Sequence, residues 1–285
     1  MRFGCCVALA SFVPPTSGAK QLDIRDAYEA RIAAVPNAMT SLTNAGCDFA
    51  EFGVGMVAPD LPDAAFEAFR RVVADSPLAA ECYNSFIPPD IRLVGPDRDP
   101  HRIERYVAVA TERVAATGGK IIVFGSGGAR RVPDGYPRES AEDELVDFLR
   151  VTAEHARRLG ITIAIEPLNR SESNILNSVE ESVALARRVD REEIRVLVDF
   201  YHLTLEEEPM SHIVDAGECL AHVHVADTGR LYPGSGSYPY PDFYAALRDA
   251  RYDARISVEC NWRDYDHEVV AAMRFLRESY AASST

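Results

Sequence analysis

The chain has 285 residues, 47% of them hydrophobic, enough to bury the core of either two ordinary domains or one barrel. Its formal net charge of −14 argues against broad binding to nucleic acid or anionic membrane, which needs an excess of Lys and Arg. No apolar stretch approaches the ~18 residues of a membrane span, and no Gly/Ser-rich or Pro-rich linker divides the chain, so residues 1–285 are expected to form one domain.

The opening MRFGCCVALA carries one Arg, and its apolar stretch is broken by Ser11, Pro14 and Pro15; it is read as a first strand, Arg2 to Leu9, rather than as a signal peptide. A helical pattern follows from Ile24 to Val35, then a strand-like run from Phe49 to Phe52, a helix from Ala64 to Ala74, a strand from Ala80 to Tyr83, a helix from His101 to Ala116 and a strand from Lys120 to Phe124. The helices place apolar residues three and four apart, whereas the strand runs are short and rich in β-branched and aromatic residues. Ala141 to Leu159 is the clearest helix: Leu145, Phe148, Leu149, Val151, Thr152 and Ala156 share a face, and Arg157 and Arg158 precede Gly160 where cations and a terminal Gly are expected. The second half alternates strands Ile161 to Glu166, Arg195 to Asp199, Ala221 to His224 and Arg255 to Glu259 with helices at Val179 to Val189, Phe243 to Arg251 and His267 to Tyr280. Eight β units with intervening helices predict a (β/α)₈ TIM barrel. An open doubly wound sheet would instead need a crevice where strand order switches.

Each of the last four strands ends in a residue able to bind a hard divalent metal: Glu166, Asp199, His224 and Glu259. An isolated acid at a strand end is usually a helix cap or a loop charge, but four such residues at the same end of four strands would converge on the C-terminal rim of a barrel. Three carboxylates and one imidazole suit one Mn²⁺, Mg²⁺ or Co²⁺ better than a thiolate-loving ion. The six cysteines, at 5, 6, 47, 82, 219 and 260, are scattered with no C-x-x-C spacing, which points to a reduced, cytoplasmic setting.

The motifs around these ends are IEPLNRSESN, VDFYHLTLEEE, HVHVADTGR and SVECNW. From about Glu142 to Trp262 they resemble the sugar phosphate isomerase/epimerase superfamily, the xylose-isomerase-like barrels, and most of all the ketose 3-epimerases of the D-tagatose and D-psicose type; the first half resembles them only in layout. The resemblance implies that Glu166, Asp199, His224 and Glu259 hold the metal and that Glu166 and Glu259 double as the acid/base pair. It also implies that Glu172 contacts the terminal hydroxyl end of a sugar, and His202 and Arg230 the oxygens around the reacting carbon. E-P-L-N is shared with hydroxypyruvate isomerases; Asn169, Arg170 and Glu172 tilt the choice toward epimerase. Aldose-ketose isomerases and inosose-dehydratase-like lyases remain the alternatives, because all start from the same enolate. The partner expected is a small sugar or sugar-derived substrate, with neither nucleic acid nor membrane, and a homo-oligomer is compatible with the resemblance. The endonuclease IV branch shares the skeleton but needs extra histidines near strands 2 to 4, where this chain reads EFGVG, ECYNSF and VFGSGG.

The chemistry follows independently of the resemblance. Removing a proton from carbon beside a ketone leaves an enediolate, which a divalent cation stabilises as a Lewis acid. Epimerisation then needs two positioned acid/base groups on opposite faces, each worth about 10²- to 10⁴-fold.

Other features have plainer expectations. Gly125 to Arg131, GSGGARR, could cradle a phosphate but reads more simply as a flexible loop. His222 is expected to be a packed, hydrogen-bonded rim histidine, and Trp262 to floor a sugar pocket or cap the barrel end. Glu206 to Glu208 are expected to be solvated, His101 and His212 to be surface or satisfied structural residues, and Tyr232 to Pro241 is long enough to serve as a mobile lid.

Overall fold

Short apolar runs cannot each bury both faces alone; in this chain eight of them pair side by side, all parallel, and close on themselves. The structure is a computed structural model that describes residues 1–12 and 24–283. The strands are β1 (Arg2–Cys6), β2 (Phe49–Gly53), β3 (Ala80–Asn84), β4 (Ile121–Phe124), β5 (Thr162–Ile165), β6 (Ile194–Asp199), β7 (Leu220–Val225) and β8 (Arg255–Val258), in sequential order round the barrel. Closure is made by β8 against β1, from Arg2 opposite Arg255 to Cys5 opposite Val258. The helices are α1 (Ile24–Asn44), α2 (Asp63–Ala74), α3 (Pro100–Ala116), α4 (Gly127–Arg130), α5 (Arg138–Leu159), α6 (Val179–Val189), α7 (Phe200–Leu205), α8 (Ser211–Ala216), α9 (Tyr240–Asp249) and α10 (Tyr265–Ala282).

Period-2 alternation divides the strand side chains between two cores. Phe49, Cys82, Ile121, Val123, Ala164 and Leu197 fill the barrel interior, whereas outward residues such as Phe52, Ile122, Ile163 and Val198 join the helices in one continuous layer. Gly4 belongs to the inner packing: a Cβ there would lie 2.5 Å from the Phe49 ring. At the N-terminal end Glu81 accepts hydrogen bonds from Arg2 (2.6 and 2.8 Å) and Arg255 (2.7 Å), joining β3, β1 and β8 below the core.

Several expected boundaries differ, among them those of the first strand and the first helix. The first strand stops at Cys6, and Leu9–Ser11 is a 3₁₀ turn; Pro14 and Pro15 lie outside the described residues. The first helix runs on from Val35 through Pro36 to Asn44, because burial of Ala38, Met39 and Leu42 outweighs the one backbone hydrogen bond that an interior Pro removes. The helix Arg138–Leu159 ends as anticipated, with Gly160 left-handed at φ 66°. The short α7 and α8 had no periodic signal long enough to register.

Candidate metal centre

Glu166 and Glu259 stand one residue beyond β5 and β8, where the ladder still holds them: the Glu166 amide donates to the Phe124 carbonyl (3.1 Å) and that of Glu259 to Val225 (3.0 Å). Asp199 closes β6 and His224 lies within β7, directly opposite Asp199 in the pairing register. Ile165 pairs with Val196 and His224 with Ser257, so Glu166 and Glu259 are staggered from Asp199 and His224 along the ladder, and it is the side chains that converge at the C-terminal rim. A ligand-type atom from each of Glu166, Asp199, His224 and Glu259 falls within 4.8 Å of the others.

Asp199 serves both as a helix cap and as a member of this group. Its Oδ1 accepts the Tyr201 amide (2.7 Å) and, at longer range, that of His202 (3.4 Å), capping α7. Its Oδ2 is buried with no hydrogen-bond partner among the described residues. His224 Nδ1 lies 3.2 Å from Glu166 Oε1 and 3.6 Å from Glu259 Oε2. Its Nε2 is 2.9 Å from Oε1 of Glu51, a carboxylate on β2 whose Oε2 is 2.8 Å from Nε2 of His222.

Electrostatics favour a cation here. Burial pushes the Glu166 carboxyl up, and the charges of Glu259 and Asp199 add to that despite a hydrogen bond to His224. Burial also opposes ionisation of Glu259, but His224 and Arg230 outweigh it and hold that carboxyl down at about 2. His224 is driven the other way: burial disfavours its charge, yet Glu51, Glu259 and Glu166 lift its pKa well above the ordinary value. Glu51 is held well below its ordinary value because His224 and His222 overcome its burial. His224 Nδ1 thus stands between carboxylate oxygens of Glu166 and Glu259, where a divalent ion would take the place of a proton. The orphaned Asp199 Oδ2, the oxygen-rich donor set and this charge balance fit a hard divalent cation.

The other anticipated residues line up beside the cluster. Arg230 donates from Nη2 to Glu259 Oε2 (2.8 Å) and from Nη1 to Glu172 Oε1 (2.9 Å), with its guanidinium 5.1 Å from the Tyr201 ring centre. Its backbone is left-handed, φ 58°, a conformation worth roughly 1–2 kcal/mol of strain outside glycine. Asn169 donates from its side-chain amide to Glu172 (3.0 Å) and to His202 Nδ1 (2.9 Å). His202 therefore keeps its proton on Nε2, which is buried, without a hydrogen-bond partner among the described residues and 3.6 Å from Asp199 Oδ2.

Several plainer expectations need correction. Within GSGGARR, Gly127–Arg130 is a helical turn, and its arginines are committed: Arg130 is fully buried against the carbonyls of Phe124 (3.2 Å) and Leu176 (3.3 Å), while Arg131 reaches the Glu172 carbonyl. The glycines answer to crowding. A Cβ on Gly125 would sit 2.2 Å from Glu166 Oε2, and one on Gly127 2.8 Å from the Glu172 carbonyl. His222 lies inside the barrel, one inward position below His224 and fully buried, rather than at the rim. Glu206 and Glu208 are not solvated: Glu206 binds Arg170, and Glu208 accepts the Val179 amide and lies 2.7 Å from His212 Nδ1. The segment after Arg230 is tied down, with buried Asp227 accepting the amides of Thr228, Gly234 and Tyr238 and Tyr240 donating to the Ala226 carbonyl. Trp262 packs edge-on against Tyr265, which meets Phe12, consistent with a cap on the barrel end. Glu51 is the residue that sequence reasoning missed. Its signal was an acid inside the otherwise apolar run Phe49 to Phe52.

The fold is a closed (β/α)₈ barrel with carboxylate and imidazole side chains gathered at its C-terminal rim, where barrels of this class build their sites. Residues 40–279 match the xylose isomerase-like TIM barrel family, and the chain belongs to it. It is 31% identical over 155 residues to D-psicose 3-epimerase of Agrobacterium fabrum, 52% of this chain and 54% of that protein. It is 32% identical over 162 residues to 3-dehydro-D-guloside 4-epimerase of Escherichia coli, 54% of this chain and 62% of that protein. In sequence, the chain spans about half to three-fifths of the length of these curated relatives. In fold it is similar to crystalline D-allulose 3-epimerase from Methylomonas sp. in complex with D-allulose, with a TM-score of 0.80 and 22% identity over 98% of this chain and 97% of that one.

Proposed function

We propose that this protein is a divalent-metal-dependent ketose 3-epimerase. The observation that carries the reading is the convergence of Glu166, Asp199, His224 and Glu259 within 4.8 Å of one another, and the similarity to D-psicose 3-epimerase supports the substrate class. A divalent ion bound there, Mn²⁺ first and Mg²⁺ or Co²⁺ as alternatives, supplies Lewis-acid stabilisation of the substrate's developing oxyanion.

The chain's own residues carry the remaining steps. One of Glu166 and Glu259 takes the proton from C3 of the ketose, and the other returns a proton to the opposite face of the planar enediolate. His202 donates from Nε2 to a substrate oxygen next to the reacting carbon, which would satisfy an atom otherwise buried without a partner. Arg230, permanently charged, adds electrostatic stabilisation as charge develops. Glu172, held by Asn169 and Arg230, accepts from a hydroxyl at the far end of the sugar.

A second reading, epimerisation at the neighbouring carbon of a keto-sugar, is favoured by the similarity to the 4-epimerase. Incubation with a panel of 2-keto and 3-keto sugars in D₂O and Mn²⁺, read by NMR, separates the two, because the second reading puts exchange and inversion at C4 of a 3-keto sugar. Deuterium entry and inversion at C3 is the expected result. Exchange at C1 or C2 with conversion of ketose to aldose would make the protein an isomerase and overturn the proposal.

A further inference from the structure

Below the rim cluster, Glu51, His222 and His224 form a sealed hydrogen-bonded group in which all three side chains are fully buried. Glu51 comes from β2, on the far side of the barrel from β7, which carries both histidines. Its two oxygens are divided between them: Oε1 to His224 Nε2 at 2.9 Å and Oε2 to His222 Nε2 at 2.8 Å. An ionised carboxylate has only lone pairs to offer. Both Nε2 atoms must therefore carry the hydrogens of these bonds.

We infer that Glu51 is a positioning residue that fixes His224 in the Nε2–H tautomer and so assigns Nδ1 as the atom facing the metal; this rests on the metal-site reading above. The orientation agrees, since it is Nδ1 that lies 3.2 Å from Glu166 Oε1 and 3.6 Å from Glu259 Oε2. A carboxylate behind a ligand imidazole also raises the basicity of the ligating nitrogen, and losing such a partner commonly weakens metal affinity 10- to 100-fold. His222 fills the other oxygen, so that Glu51 is held at two points and cannot rotate away from His224. The near-perpendicular stacking of the two imidazoles, with centroids 5.1 Å apart, lets one carboxylate serve both.

His222 also makes Glu51→Gln a clean probe. Its Nδ1 is buried and without a partner, so it can take up the ring proton and let Nε2 accept from the new amide. The Gln carbonyl would then stay on His224, with packing preserved and the charge removed. Folded Glu51→Gln is expected to bind Mn²⁺ about 10- to 100-fold more weakly than wild type by competition with a chelating dye, while circular dichroism and melting temperature show the fold intact. Glu51→Asp, which keeps the charge, should recover part of the loss. A structural role alone would lower the melting temperature and leave the affinity unmoved.

Long-range ¹⁵N–¹H NMR of wild-type protein loaded with Zn²⁺ reads the tautomer directly and needs no folded variant. The expected spectrum has the metal-induced shift on His224 Nδ1 and a proton on Nε2. Metal on Nε2 would overturn the tautomer assignment, and a folded Glu51→Gln variant with Mn²⁺ affinity within twofold of wild type would overturn the role given to the Glu51 charge. Wild-type protein that binds neither ion would instead overturn the site reading on which it rests.

Discussion

The two ends of this barrel solve opposite electrostatic problems. At the N-terminal end one carboxylate, Glu81, meets two guanidiniums, Arg2 and Arg255, in hydrogen bonds of 2.6–2.8 Å; nearby Asp48 accepts from Arg277 (2.9 Å) and from the Phe3 amide (2.7 Å). Every oxygen of Glu81 is matched. At the C-terminal end Glu166, Asp199 and Glu259 crowd one imidazole, and Glu259 shares Arg230 with Glu172, leaving Asp199 Oδ2 and His202 Nε2 buried without partners among the described residues. The lower end matches its charges within the protein, whereas the upper end gathers like charges and leaves buried polar atoms unmatched. On the proposed function, stability and function are thereby separated along the barrel axis.

That contrast predicts a large effect on activity and a small one on stability when metal is removed. Exhaustive chelation is expected to abolish turnover, and Mn²⁺, Co²⁺ or Mg²⁺ to restore it, while far-UV circular dichroism stays native because the packed interior and the lower end do not depend on the ion. Full activity in protein shown to be metal-free by elemental analysis would erase the distinction.

Next in size is the loss of either rim acid. Glu166→Gln and Glu259→Gln should each lower epimerisation by about 10²- to 10⁴-fold. With metal content measured alongside, each should retain some solvent exchange from only one of the two epimers. A variant that holds metal and still epimerises at a near wild-type rate would show that the second carboxylate moves no proton.

A subtler intrusion at the same end replaces none of the four rim residues. In Gly125→Ala the new methyl would lie 2.2 Å from Glu166 Oε2, forcing the carboxylate to shift. Displacement on the scale of an ångström can cost about 10²-fold in kcat. Unchanged kcat, in protein with unchanged melting temperature, would mean that Glu166 tolerates displacement.

The smallest effect belongs to the lower end. Glu81→Gln should leave activity alone and cost about 1–2 kcal/mol, since hydrogen bonds to charged groups are discounted where the partners reach solvent. Burial tends to raise the Glu81 pKa, but Arg2 and Arg255 hold it below the ordinary carboxylate value. A lowered folded-state pKa means that this contribution is complete above the unfolded carboxylate pKa of about 4.3 and is lost as pH falls through the folded value. Thermal melts of wild type and variant should therefore converge in acid. A gap that widened as pH fell would reverse the assigned sign.

The parts of the molecule legible in the sequence are those governed by short-range pattern. Strand runs such as Ile161 to Glu166 and Arg195 to Asp199 carry their short apolar, β-branched signatures locally, and in a parallel barrel their C-terminal ends share one rim, so four rim residues could be picked out with no knowledge of which strands touch. Boundaries slipped where a longer-range effect decided them, as at Pro36, where burial of the following turns kept the helix intact. The fate of Glu206 and Glu208 was illegible for the same reason: their partners, Arg170 and Val179, come from another loop and another helix.

The sequence by itself determined the eightfold alternation of strand and helix, the location of ligand-type residues at strand ends and the acidic balance, because each of these is a property of residue order and composition. Only the tertiary structure decided that Glu51 reaches across to His222 and His224, separated from it by 171 and 173 residues. It also decided that Asp199 divides its two oxygens between a helix cap and the site, and that Gly125 is small because Glu166 needs the space. Those facts depend on barrel closure and on which side chains share the interior at one level, and no local period in the chain encodes them.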